Sequence, residues 1–73
     1  MEKTNTRRKN TGKRLKDLRD KTGKSMATVA SDLGVTSATI SYWESGERTP
    51  SDDMKVKIAK YYSADIISIF YAD

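Results

Sequence analysis

The side chains that could do chemistry in this sequence are mostly basic, and they are concentrated at its N-terminal end. Residues 1–24 contain ten lysines and arginines against three carboxylates, whereas residues 25–73 contain four basic residues against seven acidic ones. A basic third followed by a mildly acidic remainder is typical of a protein that binds a polyanion. A solvated helix face with a basic tail would produce the same counts, so charge by itself leaves both interpretations open.

The sequence lacks the residue types on which most active sites depend. It contains neither Cys nor His, which removes disulfides, the usual zinc sites, thiol nucleophiles and imidazole general bases. A site built from carboxylates or from a Ser–Lys pair remains open chemically, but no motif for one is spelled out. We therefore expect no enzyme activity, no metal and no cofactor.

The distribution of apolar residues predicts a protein that does not enter a membrane. No apolar run approaches the ~20 residues that a membrane span needs, and residues 1–24 have no apolar stretch of the kind found in signal peptides. These features lead us to expect a cytoplasmic protein. A length of 73 residues predicts a single domain.

Apolar spacing and capping residues predict five short helices and no strand, which makes the fold class all-α. A flexible basic arm is predicted over residues 1–10, because no apolar periodicity follows Met1. The helical domain is predicted over residues 11–73. Its first, second, third and fifth helices are predicted at about 11–22, 26–33, 36–45 and 66–71, and the fourth follows a cap at Ser51.

The stretch GVTSATISYWESG, residues 34–46, decides how the middle of the chain is interpreted. Its β-branched and aromatic residues favour a strand by propensity. A strand would leave apolar and polar residues mixed on both sides, whereas a helix directs Val35, Ile40 and Trp43 inward and most of the hydroxyls outward. Because propensity is a weak guide against context, we predict a helix that begins near Thr36.

The run SMATVASDLGVTSATISYWESGERTPS resembles the helix-turn-helix of Cro/CI-type (XRE-like) repressors. Ala30 stands where that family has a small residue in its second helix, and Gly34 stands at its turn. The ending E-x-G…P of the family pattern is matched from Glu44 to Pro50. The segments GKRLKDLRDKTG and KIAKYY resemble the first and fourth helices of the family. Met26, however, stands where the family usually has Gln.

The resemblance covers about residues 11–70 and implies a compact five-helix, lambda-repressor-like fold, with the helix-turn-helix formed by helices 2 and 3. It implies a sequence-specific, double-stranded DNA-binding transcriptional regulator, a repressor of phage or mobile-element type. Its recognition helix, about residues 36–45, would lie in the major groove.

Family positions carried onto this sequence predict which residues would contact DNA. Base edges would face Ser37, Ala38, Thr39, Ser41 and Tyr42. Phosphates would be contacted by Arg7, Arg8, Lys9, Arg19, Lys24, Met26 (through its backbone), Thr36, Ser45, Arg48 and Thr49. The basic residues of the arm could equally be a solubilising tail. Structural roles are expected for Arg19, Glu44, Trp43, Ala30 and Gly34.

The last predicted helix indicates a protein partner. Ile67 and Tyr71 are four residues apart and fall on a face separate from the one that closes the core, and an exposed apolar stripe marks a contact. We predict a homodimer on a two-fold DNA site, with a wider core face on a monomer as the alternative. A second hypothesis is a protein-interaction module on the same scaffold, an antitoxin or an anti-repressor target, which would have a protein antagonist.

Overall fold

The fold consists of five helices in the described part of the chain, and four of them begin at a residue whose side chain caps the helix. The computed structural model describes the backbone of residues 2–72 and the side chains of residues 7–72. Its elements are α1 (Glu2–Thr22), α2 (Met26–Leu33), α3 (Ser37–Ser45), α4 (Asp52–Tyr61) and α5 (Ile66–Phe70). No strand occurs among residues 2–72, so the all-α fold predicted from the sequence is confirmed.

The caps work by satisfying backbone donors that a helix start leaves without a partner. Ser25 accepts a hydrogen bond from the Thr28 N–H at 3.1 Å, and Thr36 accepts one from the Thr39 N–H at the same distance. Ser51 and Asp65 do the same for α4 and α5. The helical interpretation of residues 36–45 therefore rests on a local interaction that a strand would lack.

The first helix is longer than the sequence predicted. Residues 2–10, expected to be a flexible arm, form the first turns of α1, while residue 1 lies outside the described part of the chain. The extension packs against the end of α3: a Cβ at Gly46 would lie 3.1 Å from the Lys9 backbone. Hydrophobic periodicity missed this extension because glycine backbone, rather than an apolar side chain, provides the contact.

The core lies where α1 and α2 cover the inner face of α3 and where α4 and α5 close the other side. Its buried side chains are Leu15, Val29, Ala30, Leu33, Ile40, Trp43, Ile58, Ala59, Ile69 and Phe70. Val35 is partly buried against this cluster. The inward set of the third helix thus lies where its helical period placed it.

Gly12 allows the closest approach between α1 and α3. It is buried, and an added Cβ would fall 2.8 Å from the Trp43 carbonyl oxygen and closer still to that of Glu44. Such a contact requires the absence of a side chain.

No helix among the described residues is both long enough and apolar enough to cross a membrane.

Candidate nucleic-acid interface

The α2–turn–α3 unit is built around a left-handed turn. Gly34 has φ of 75° and ψ of 29°, a conformation that costs a residue with a Cβ about 1–2 kcal/mol. The N–H of Val35 donates to the Ala30 carbonyl at 2.9 Å, which closes the end of α2. Thr36 then caps α3 directly. Ala30 is 2% exposed, so little room exists for a larger side chain between the two helices.

The outward face of α3 is open and carries no charge in its first two turns. Ser37, Ala38 and Ser41 are exposed, whereas Thr39 is half-buried and its hydroxyl lies 2.9 Å from that of Thr36. Tyr42 is also half-buried. Since Ile40 and Trp43 anchor the opposite face in the core, α3 presents hydroxyls, a methyl group and a phenol ring to the outside.

Tyr42 is covered on one side by an arginine that lies outside the helix. The Arg48 guanidinium carbon is 4.5 Å from the centroid of the Tyr42 ring. The N–H groups of Glu47 and Arg48 both donate to the Tyr42 carbonyl, at 3.0 and 3.2 Å. The sequence analysis predicted a base contact for Tyr42 and a phosphate contact for Arg48, whereas the structure brings these two side chains together.

Arg19 and Glu44 form a bidentate ion pair that joins α1 to the end of α3. The Arg19 Nε and Nη2 donate to the two carboxylate oxygens at 2.6 and 2.9 Å. Side-chain exposure is only 11% for Arg19 and 5% for Glu44. The hydrogen bonds that Arg19 donates to Glu44 raise the pKa of Arg19 above its ordinary value, against the opposing effect of burial. With Nη1 donating to the Lys24 carbonyl, each Arg19 nitrogen already has an acceptor.

Lys24, expected at a phosphate, lies between α1 and α2 and has partners on α2 and α4. Its Nζ donates to the Tyr61 hydroxyl at 3.0 Å and lies 3.5 Å from an Asp32 carboxylate oxygen. The hydrogen bond with Tyr61 is the main reason that the pKa of Lys24 is raised. The Tyr61 hydroxyl in turn donates to Asp32 at 2.6 Å. Part of the positive charge at the start of α2 is therefore neutralised within the fold.

The helix start that follows Lys24 offers backbone rather than side-chain donors. The Met26 side chain packs against the core, so only its N–H could reach a phosphate, as the sequence suggested. A helix N-terminus favours a negative charge through its free N–H groups and its dipole. This part of the interface would work without the glutamine that the family usually has.

Basic side chains from three parts of the chain line one cleft of about 210 Å³. They are Arg7 and Arg8 of α1, Arg48 of the α3–α4 loop and Lys55 of α4. No carboxylate is among the described residues that line the cleft. Thr11, Trp43, Thr49, Pro50, Phe70 and Tyr71 complete the lining. The cleft would attract an anion, because several cations face it without a neutralising partner in its wall.

Lys55 was not recognised as part of the candidate site from the sequence. Its side chain is 14% exposed and its Nζ lies 3.7 Å from Asp52. The same Nζ donates to the Tyr71 hydroxyl at 3.3 Å and lies 4.9 Å from the centroid of that ring. The alkyl stem of Lys55 can pack while its ammonium group reaches an aromatic rim, and no spacing in the sequence signals that contact.

The remaining candidates lie at the rims of these regions. Ser45 is exposed and its hydroxyl donates to the Tyr42 carbonyl at 3.1 Å. Lys9 is exposed on α1 but outside the cleft lining. Ile67 and Tyr71 are 60% and 55% exposed on and just after α5, while the buried Ile69 and Phe70 face the core.

Comparison with known proteins identifies the central unit. A family model described as helix-turn-helix matches residues 15–66, a range that runs from the middle of α1 to the start of α5. No curated protein and no solved structure matches the chain.

Proposed function

Because the chain belongs to the helix-turn-helix family of the Cro/CI (XRE) type, a family of DNA-binding regulators, we propose that it is a sequence-specific transcriptional repressor. The phage or mobile-element origin suggested by the sequence is part of this proposal. The observation that carries it is the α3 surface: one face is fixed in the core by Ile40 and Trp43, and the other is open. A helix held in this way can enter the major groove as a rigid unit.

Base contacts are assigned to the outward face of α3. Ser37, Ala38 and Ser41 are exposed in the first half of the helix, the part that reaches base edges in such complexes. Ser can donate or accept, and the Ala38 methyl can contact a thymine methyl. Thr39 and Tyr42 complete the set at the margins, because both are half-buried.

Phosphate contacts are assigned to two regions outside this surface. The first is the basic cleft, with Arg7, Arg8, Arg48 and Thr49 in its lining. The second is the start of α2, with the Met26 N–H and the ammonium group of Lys24. Thr36, Ser45 and Lys9 are assigned as additional contacts from exposed positions. Such contacts supply most of the affinity and make it depend on salt.

The working form in this proposal is a homodimer in the cytoplasm. Ile67 and Tyr71 project from the region of α5, and pairing of this surface with its copy would give a two-fold assembly. The two recognition helices would then reach half-sites about one helical turn apart.

Selection of bound duplexes from a random pool, followed by a salt titration on the selected site, tests the proposal. We expect a two-fold site, with log affinity falling linearly as log salt rises. A scrambled duplex should bind more weakly and with a similar salt slope. Failure to bind any duplex at low salt would overturn the proposal.

The alternative is a protein-interaction module, an antitoxin or an anti-repressor target. The uncharged face of α3 favours it, because the outward side chains between 37 and 42 include no cation for the DNA. On this alternative, an acidic protein antagonist would occupy the basic cleft. Binding of a protein partner together with a failure to bind duplex DNA would identify it.

A further inference from the structure

The recognition surface lacks the side chains that distinguish bases most strongly. Residues 37–45 include no Arg, Lys, Asn or Gln. Arginine can donate to O6 and N7 of guanine together, whereas a serine hydroxyl makes a single adaptable contact. If α3 alone read the DNA, discrimination at each position would be weak. A bidentate donor at this surface must therefore come from another part of the chain.

The loop after α3 supplies one through a reversal of the backbone. Gly46 has φ of 84° and ψ of 6°, which turns the chain back along the helix that it has just left. The N–H of Arg48 then donates to the Tyr42 carbonyl at 3.2 Å. The side chain follows the same path, with its guanidinium carbon 4.5 Å from the Tyr42 ring centroid. Arg48 is thus tied to α3 by its backbone and by its side chain.

Stacking leaves the donors of Arg48 available. No ion pair or hydrogen bond joins the Arg48 side chain to any residue in the described part of the chain, which includes all side chains from 7 to 72. Arg19 differs, since each of its nitrogens already donates. A guanidinium on an aromatic face keeps its N–H groups in its own plane, pointing away from the ring. Because the Arg48 side chain is already partly ordered in the free protein, it loses less conformational entropy on binding.

We propose that Arg48, stacked on Tyr42, is a specificity-determining residue that reads a guanine through its O6 and N7 beside the bases contacted by α3. This inference rests on the proposed function and changes one assignment within it, because Arg48 moves from the phosphate contacts to the base contacts. Tyr42 is then a positioning residue as well as a base contact, because its ring lies 4.5 Å from the guanidinium carbon and holds the group beside α3. The serine face reads its own bases, and the loop arginine provides the strong discrimination that the helix lacks.

Duplex selection with variants tests this assignment. Arg48→Lys keeps the charge but removes the bidentate geometry. We expect it to lose a guanine preference at one position in each half-site, by about 5- to 150-fold, while its affinity for a scrambled duplex changes little. Lys16→Arg, which conserves the charge at an exposed position of α1 outside the cleft, is the control and should leave every base preference unchanged.

Two substitutions at Tyr42 separate positioning from the tyrosine's own contact. Tyr42→Phe keeps the ring and should keep the guanine preference, whereas Tyr42→Leu should weaken it toward the level of Arg48→Lys. Thermal unfolding checks that each variant is folded, as expected for changes at exposed or half-buried side chains.

The proposal is overturned if Arg48→Lys and wild type select the same bases, or if Arg48→Ala weakens all duplexes alike, since Arg48 would then contact phosphate alone. Wild-type protein that selects a site while Arg48 variants leave it unchanged would contradict only this inference. Wild-type protein that binds no duplex would contradict the proposed function as well.

Discussion

The most tightly constrained side chains at the scale of single residues are Arg19 and Glu44. Both are largely removed from water, and two short hydrogen bonds join them. If one member of such a pair is removed, the other keeps a buried charge that water cannot easily solvate. Since a domain of this size has a stability of roughly 4–11 kcal/mol by the usual per-residue range, the loss of this pair would remove a large part of it.

Glu44→Gln should therefore lower the free energy of unfolding by about 2 kcal/mol, because charge-assisted hydrogen bonds are replaced by neutral ones. Urea unfolding followed by circular dichroism measures the change. Glu47→Gln removes the same charge from an exposed neighbour and should change stability by less than about 0.5 kcal/mol. Equal effects of the two substitutions would show that net charge, and not the pair, matters.

Tyr62 links stability to pH at the same scale. Burial, with a smaller effect from the Glu44 carboxylate, raises the pKa of Tyr62 to about 12. In the unfolded chain the Tyr62 hydroxyl has a pKa of about 10, so the unfolded state releases this proton first as pH rises. The contribution of Tyr62 to stability is therefore complete below pH 10 and is lost between pH 10 and 12.

Wild-type protein should accordingly lose more stability than Tyr62→Phe between pH 9 and 11. The difference expected is about 1 kcal/mol, after allowance for solvent around a half-exposed ring. Urea midpoints at the two pH values give the comparison. Identical curves for wild type and Tyr62→Phe would contradict the assigned shift.

At the scale of helices, the contact between α1 and the end of α3 determines where the basic cleft lies. Gly12 lies against the carbonyls of Trp43 and Glu44, and Gly46 lies against the backbone of Arg8 and Lys9. These two glycines place the first turns of α1 beside the loop that carries Arg48. The basic cleft exists because two backbones approach closely, with no long apolar side chain between them.

Gly12→Ala should destabilise the protein by about 1–3 kcal/mol despite the better helix propensity of alanine, because the added methyl forces the helices apart. Chemical unfolding measures the loss. Lys16→Ala, at an exposed position of the same helix, should have little effect. If Gly12→Ala were stabilising, as propensity alone predicts, the close approach would be refuted.

At the scale of the whole molecule, the proposed dimer depends on the exposed apolar side chains near α5, Ile67 and Tyr71. Ile67→Ser should raise the dimer dissociation constant by about 10- to 100-fold if each copy buries this side chain. Sedimentation equilibrium measures it. Val56→Ser, which changes an exposed aliphatic residue of α4, is the control and should leave dissociation unchanged.

The same substitution should act on DNA in a matching way. Affinity for a two-fold site should fall, while affinity for an isolated half-site should remain. A wild-type protein that stays monomeric at high concentration and on its DNA site would contradict the proposed dimer.

The sequence by itself determined the helices after the first, their caps, the buried face of α3 and the family. Those features depend on signals a few residues apart: Thr36 accepts from Thr39, and Ile40 and Trp43 are three apart on one face. Such signals survive in any tertiary context, because the donor and the acceptor belong to the same turn. The helical interpretation of residues 34–46 held for this reason, although their composition favours a strand.

Only the tertiary structure decided what meets across the chain. It placed Arg7 and Arg8 in one cleft with Lys55, extended α1 through residues 2–10 and gave Lys24 partners on α2 and α4. It also stacked Arg48 on Tyr42, which supplies a guanidinium to a helix that has none. Most of these contacts join residues that are far apart in the sequence. Whether they meet depends on how closely two helices pack, and that distance cannot be inferred from a glycine or a lysine alone.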